Sequence, residues 1–495
     1  MTEEYDVIVV GGSNAGGVAA AAAAEKGGKV LVIDKESNSS FLFRNTIASL
    51  NSKAQQKAGI KINKWELLDY LELFNQDHVD QRLLSLWADQ SGAVMDWLDE
   101  KVLQPNGAHL YAEKDAYSET LTNKAFPTGN EVTKNERERD RGWGRYVMEF
   151  DQKLGVDFKY LTRLEHLVTN QENRVVGVEV TDLTNNQVYQ IKAKRGVILC
   201  TGGYGADRAL MQKWNPSGLS TNVYAQSPRN NGSGILAAME VGAVKDDQPA
   251  SIVFDRGGVF VGTNAKTFYD QSDWRVKGYL VLGSYPLLKV NLNGERFFNE
   301  SAPYQFAMNS LTKQPGNLEV MIWNEETMKH LDQFHTLGCS RLGWPGILDE
   351  AGQRAKVEEK LKQGYIQKAD SIEELAAKMH LPKDKLVKTV KRYNQMCAQG
   401  EDTDYGKEKY RLFPVDKAPY YAVTLGGVLL DTLDGLSVNT EMNVLNEKRE
   451  AIPGLYAAGN CAGGFFWGSY PDRVPGLTAS HAIVFGRLAG LNIMK

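Results

Sequence analysis

A glycine-rich run, Gly11-Gly12-Ser13-Asn14-Ala15-Gly16, followed by an acid at Asp34, is the strongest chemical signal in this 495-residue chain. Its chemistry is the binding of a diphosphate. Gly11 permits a tight turn, and Gly16 lets a helix pack closely on the strand before it. Ser13 stands where the middle glycine of a G-x-G-x-x-G pattern would be, and is small enough for backbone to approach a ligand. Ser13, Asn14 and Ala15 lead into a helix whose free N–H groups and positive dipole end suit a pyrophosphate. Asp34 is placed to accept hydrogen bonds from ribose hydroxyls, which favours FAD or NAD over a 2′-phosphorylated dinucleotide.

The flanking residues supply the elements such a site needs. Tyr5–Val10 is apolar almost throughout and reads as a buried parallel strand. Residues 17–26 read as a helix whose alanines are an interior, and Lys29–Ile33 as a second strand ending at the acid. The order strand, turn, helix, strand, acid is that of a Rossmann unit, so the expected class is α/β. At 495 residues the chain exceeds what one core holds, and two domains are expected. A formal charge of -4 gives no nucleic-acid footprint. The four cysteines, Cys200, Cys339, Cys397 and Cys461, form no CxxC pair, so no disulfide relay, zinc site or haem attachment is expected. No other metal site is expected either. The sequence shows no signal peptide and no run of eighteen apolar residues, which points to a cytoplasmic protein without a membrane span.

Three later segments narrow the dinucleotide to FAD. Val197–Gly203 (VILCTGG) is a strand ending in a glycine pair. Residues 452–460 (IPGLYAAGN) form another, ending at Gly459 and Asn460, and residues 476–491 form a terminal helix with small residues at its start. Together with the first unit these resemble the FAD-binding parts of the fumarate reductase and 3-ketosteroid dehydrogenase flavoprotein family, from Tyr5 to Leu491. The resemblance adds Lys35, Ser40, Thr201, Gly202, Gly203, Gly459, Asn460, Leu477 and Thr478 to the expected cofactor contacts. It also implies that the last helix points its N-terminus at the flavin pyrimidine. Residues 37–44 (SNSSFLFR) hold no histidine, so the flavin is expected to be bound without a covalent link. Asn460 stands where many relatives have a glutamate for the ribityl chain.

The same resemblance suggests the catalytic groups. Residues 289–304 (KVNLNGERFFNESAPY) match an Arg-Phe-x-x-Glu pattern, here Arg296, Phe297 and Glu300. Fumarate reductases deliver a proton from an arginine four residues later; this chain has Tyr304, as the steroid enzymes do. Tyr304 reads as the proton-transferring phenol or as a packed tyrosine. Residues 468–476 (GSYPDRVPG) resemble the steroid enzymes' ketone-binding loop, with Tyr470 and the Gly476 N–H gripping the substrate carbonyl. Arg473 falls near the register of a carboxylate-binding arginine, or forms a surface or interdomain salt bridge. Tyr111 and Tyr117 are candidates for a third substrate tyrosine. Trp143, Tyr146, Phe254, Trp274, Tyr279, Tyr285 and Trp467 offer aromatic walls, most of them packing.

The resulting expectation is a Rossmann-type FAD-binding domain, residues 1–245 and 421–495, carrying an inserted α+β capping substrate domain, residues 246–420. The enzyme would add or remove hydrogen across a C=C bond beside a carbonyl. The substrate would be a steroid or bile-acid-like ketone, with a flavonoid-type compound or a small unsaturated acid as alternatives. Electrons would pass to or from an external partner such as NAD(P)H, a quinone or a redox protein. A flavin redox sensor or electron carrier is the non-enzyme alternative.

Overall fold

The computed structural model describes residues 3–39, 43, 46–113, 124–135, 138–225, 227–269, 277–334 and 350–495. Strand β1 (Glu4–Val10) is followed by helix α1 (Asn14–Glu25) and strand β2 (Val30–Ile33). β1 pairs in parallel with β2, Val7 opposite Val30, and with the strand Gln187–Leu199, Val7 opposite Gly196. The parallel core extends to Ala451–Ala457 on one side and Asp157–Lys159 on the other. The sheet needs apolar residues on both faces, and Val7, Ile8, Val9 and Val30–Ile33 are at most 1% exposed. This is the α/β Rossmann-type arrangement read from the first 34 residues.

The alanine run of α1 has a specific use. A helix of sixteen residues, Leu477–Asn492, lies against it. A Cβ added at Gly486 would come within 2.3 Å of the Ala15 carbonyl oxygen, and one at Gly490 within 2.2 Å of that of Ala19. Small residues on both helices therefore bring the backbones together, which fixes the end of the chain against the phosphate-turn helix.

A second sheet runs in the order Leu288–Asn291, Glu319–Asn324, Tyr420–Thr432, Ala250–Val259 and Gly468–Ser469. Asn222–Ala225 and Ile366–Ala369 also pair with the long central strand. Apolar residues on the helices Ile372–Lys378 and Lys383–Gln399, among them Leu375, Leu386, Val390 and Tyr393, cover one face of it. Those positions recur at three- and four-residue spacing within a Lys- and Glu-rich segment, the pattern of a helical layer with a wet outer face. The strand Tyr420–Thr432 links the two halves of the molecule: its Asp431 reaches back to the Gly203 N–H of the first sheet's loop.

Candidate active site

The phosphate turn is built by contacts that exclude side chains. Gly11 has φ +94°, and a Cβ there would sit 2.5 Å from the Cys200 carbonyl oxygen; at Gly16 it would sit 1.7 Å from the Gly11 carbonyl oxygen. Ser13 caps α1 without a side-chain bond, and no acid occupies the first turn. Asp34 braces the turn, accepting from the Gly12 N–H at 2.8 Å and the Glu36 N–H at 2.9 Å. Burial pushes its carboxyl above the usual range, and those two N–H groups oppose the shift.

The turn opens into a cavity of about 1000 Å³. Gly11, Ser13, Asn14, Ala15, Asp34, Lys35, Thr201, Gly202, Gly459, Asn460 and Thr478 line it. Gly16, Gly203 and Leu477 stand behind that wall, serving close packing, a backbone bond to Asp431 and the buried first turn of the last helix. Ser40 lies outside the described residues. The cavity fits an FAD: its wall carries the glycine-cradled N-terminus of α1 and the first turn of the last helix. At Gly459 (φ +76°) a Cβ would press to 3.1 Å from the Ala15 side chain.

Asp431 was not singled out from the sequence. It lines the same cavity, fully buried, accepting from Asn460 Nδ2 at 2.8 Å, the Gly203 N–H at 3.1 Å and the Thr432 N–H at 2.9 Å. Burial raises its carboxyl to about 6, with those donors opposing the shift. An acid whose folded pKa is raised is protonated more readily in the folded state than in the unfolded one. Its contribution to stability is intact near pH 4 and is lost as pH rises through about 6. The Asp431→Asn variant should therefore gain stability relative to the parent between pH 4 and 7, by on the order of 3 kcal/mol. Urea unfolding of both proteins across that range measures it; a constant difference would rule the linkage out.

The four candidate catalytic residues fall in two groups, Tyr470 and Gly476 at the start of the last helix, and Tyr304 and Arg473 beside helix α2 (Tyr304–Leu311). Gly476 has φ +82° and is the N-cap of the last helix, here α3 (Leu477–Asn492). A Cβ on Gly476 would collide with the Thr46 and Ala48 backbone at 2.6–2.7 Å. The Tyr470 hydroxyl accepts from the Thr478 N–H at 3.3 Å, in the first turn of α3 and two residues after Gly476. The Tyr470 N–H donates to Gln305 Oε1 at 3.0 Å, tying this loop to the residue after Tyr304. Gln305 also accepts from the Val253 N–H and donates to the Gly468 carbonyl, a joint between strands that no spacing pattern reveals.

Tyr304 is buried at the start of α2. Its N–H donates to Asp472 Oδ2 at 3.2 Å, and its ring lies 5.1 Å from that of Phe254. The guanidinium carbon of Arg256 lies 5.9 Å from the Tyr304 ring centre, which supplies the neighbouring cation a phenol needs if it is to release a proton. Tyr304, Asp472 and Arg473 share a separate cavity of about 10 Å³, room for about one water molecule. Arg473 is 6% exposed, donates to the Ser301 carbonyl at 3.0 Å and pairs with Asp472 at 3.2 Å. Arg296 forms a buried network with Glu300 and Asp402, each at 2.8 Å, and this frames the segment leading to Tyr304. Tyr111 lies on a strand opposite Glu131, and Tyr117 and Trp274 fall outside the described residues. Of the aromatic candidates, Tyr279 lines the large cavity.

Comparison with known proteins places this geometry in a family. The model of the FAD binding domain family FAD_binding_2 matches residues 6–473. The chain is 26% identical to the vinyl phenol reductase of Lactiplantibacillus plantarum over 500 residues, 99% of this chain and 96% of that protein. It is 27% identical to a probable fumarate reductase of Shewanella frigidimarina over 479 residues, 94% of this chain and 71% of that protein. The 3-ketosteroid delta1-dehydrogenase of Sterolibacterium denitrificans has the same fold, with a TM-score of 0.78 at 21% identity over 100% of both chains. Among the described residues no helix is long and apolar enough to cross a membrane. The glycine turn, the flavin-sized cavity and the match over nearly the whole chain agree: the protein belongs to the FAD_binding_2 family and is a flavin-dependent oxidoreductase acting on CH–CH groups.

Proposed function

We propose that the enzyme adds or removes hydrogen across a C=C bond conjugated to an oxygen-bearing group of a ring-containing substrate, a ketone of steroid or bile-acid-like shape. The carrying observation is the Tyr470 hydroxyl against the Thr478 N–H, beside the Gly476 cap. A hydroxyl, a cap amide and the positive end of α3 together suit an oxygen that gains negative charge as the double bond reacts. Bound FAD supplies or takes the hydride at the carbon beta to the carbonyl. Tyr304 moves the proton at the alpha carbon, with the Arg256 guanidinium near to offset the charge left on the phenol. Ion pairing of Arg473 with Asp472 and its bond to Ser301 turn it to holding the loop, which weakens the reading of a small unsaturated acid.

A second reading is favoured by the match to vinyl phenol reductase over 96% of that protein. In a vinyl phenol the ring oxygen is conjugated to the C=C bond and can take the same place at Tyr470. We further propose that the FAD is held without a covalent link, since the described residues lining the cavity include no histidine and burial holds the one cysteine among them, Cys200, in its thiol form. An external partner such as NAD(P)H, a quinone or a redox protein exchanges the electrons.

The test is anaerobic. Holoprotein is reduced with dithionite, then offered fumarate, urocanate, a cinnamate, 4-vinylphenol, an enone steroid and an isoflavonoid. Return of the oxidised flavin spectrum with the enone steroid supports the first reading, and with 4-vinylphenol the second. Return with fumarate alone would end both, and return with none of them would favour a sensor or carrier.

A further inference from the structure

A bulge in the strand Ala250–Val259 puts a buried cation behind Tyr279, at the wall of the large cavity. Phe254 pairs with Val428 and Gly257 with Gly426, so three steps on one strand answer two on its partner. Such a bulge re-aims side chains. Here it presents Asp255 and Arg256, each 2% exposed. Arg256 Nε donates to Ser284 Oγ at 2.7 Å, and the Ser284 hydroxyl donates to Asp255. Asp255 is in turn paired with Lys289 Nζ at 2.7 Å, and Lys289 with Glu319 at 3.0 Å. A guanidinium fixed this way holds one orientation. Its Nη1 donates to the Tyr279 hydroxyl at 2.9 Å.

That bond decides what Tyr279 can do. Its oxygen accepts from Arg256, and a guanidinium has no acceptor to offer in return. The Tyr279 proton must therefore point elsewhere, and Tyr279 lines the large cavity. We propose that Tyr279, aimed by Arg256, is a specificity-determining residue that donates a hydrogen bond to a second oxygen of the substrate, distinct from the one held at Tyr470. The inference rests on the ring-substrate reading above and adds to it a substrate class: ring compounds bearing two oxygen functions. A site built to pair with an oxygen discriminates strongly against the analogue lacking it, because the donor, covered by the bound ring, is then left unpaired.

Calorimetric titration of the oxidised holoenzyme tests this with two probe pairs, 4-androstene-3,17-dione with 4-androsten-3-one, and 4-hydroxybenzalacetone with benzalacetone. The parent should prefer the doubly oxygenated member of at least one pair by tenfold or more. Tyr279→Phe should remove that preference while its affinity for the singly oxygenated member stays within threefold. Arg256→Met should remove it too, and Arg256→Lys should restore part of it. A preference that survives in Tyr279→Phe, or none in the parent for either pair when at least one of them binds, overturns the assignment. If neither pair binds the parent, the ring-substrate reading fails and takes this inference with it. If Tyr304→Phe blocks turnover while Tyr279→Phe keeps its preference, only the role of Tyr279 is lost.

Discussion

Gly16→Ala is expected to purify without flavin. The added Cβ would lie 1.7 Å from the Gly11 carbonyl oxygen, inside any tolerable contact, and both atoms belong to rigid backbone. No rotamer change can relieve it. α1 would have to move away from the turn after β1 by more than an ångström, taking with it the N–H groups that face the diphosphate. The helix is not free to move, because α3 packs on its other side through Gly486 and Gly490. Overpacking a rigid site of this kind should cost about 3 kcal/mol or more, and flavin content should fall at least tenfold. The ratio of visible to 280 nm absorbance after purification gives the answer directly. Gly27→Ala is the comparison: φ is +83° there but nothing lies within 4 Å, so strain of about 1 kcal/mol is expected with flavin retained. Equal flavin content in both variants would mean that the turn does not hold the cofactor as described.

That contrast also marks how far the sequence could be read. The unit from β1 to Asp34 was legible because its logic is local. The glycines, the apolar strands and the acid lie within about thirty residues, and each is required by a backbone constraint. Tyr470 and Gly476 could be proposed for a related reason: they sit six residues apart in one loop, so the family pattern carries their spacing. Asp431, Gln305 and Arg256 were not. Asp431 ends an apolar strand and looks like a strand end; its meaning comes from Asn460 and Gly203, brought in by two other segments. Arg256 looks like one charged residue in a β-rich stretch. Only the pairing register shows that an extra residue bulges the strand and turns this side chain inward, toward Ser284 and Tyr279. The sheet that carries these residues draws strands from residues 222 to 469, so hydrogen bonds join segments on both sides of the domain boundary expected at residue 246. Long-range pairing of this sort leaves no periodic trace in a single chain.

Tyr304→Phe should stop C=C chemistry while leaving the flavin in place. The ring packs tilted against Phe254, the backbone N–H is bonded to Asp472, and phenylalanine keeps both. Removal of one buried hydroxyl should cost on the order of 1 kcal/mol of stability, too little to unfold the protein or release the cofactor. The proton is another matter. Hydride reaching one carbon leaves charge on the conjugated oxygen, and Tyr470 with the α3 terminus can steady that charge but cannot complete the adjacent carbon. A positioned acid contributes typically 10²–10⁴-fold to such a step, and the rate of substrate-driven flavin reoxidation should fall by about that factor. Reoxidation by ferricyanide, which needs no proton at carbon, should be unchanged and shows whether electrons still leave the site. The same logic separates Tyr304 from Tyr279. Tyr304 lies beside the water-sized cavity with Asp472, and Tyr279 lines the large one, with Arg256 between them. If Tyr304→Phe reduces its substrate within threefold of the parent rate, the proton comes from elsewhere. Tyr279 then becomes the first phenol to remove, since it is the one whose hydroxyl the guanidinium already holds at the cavity wall.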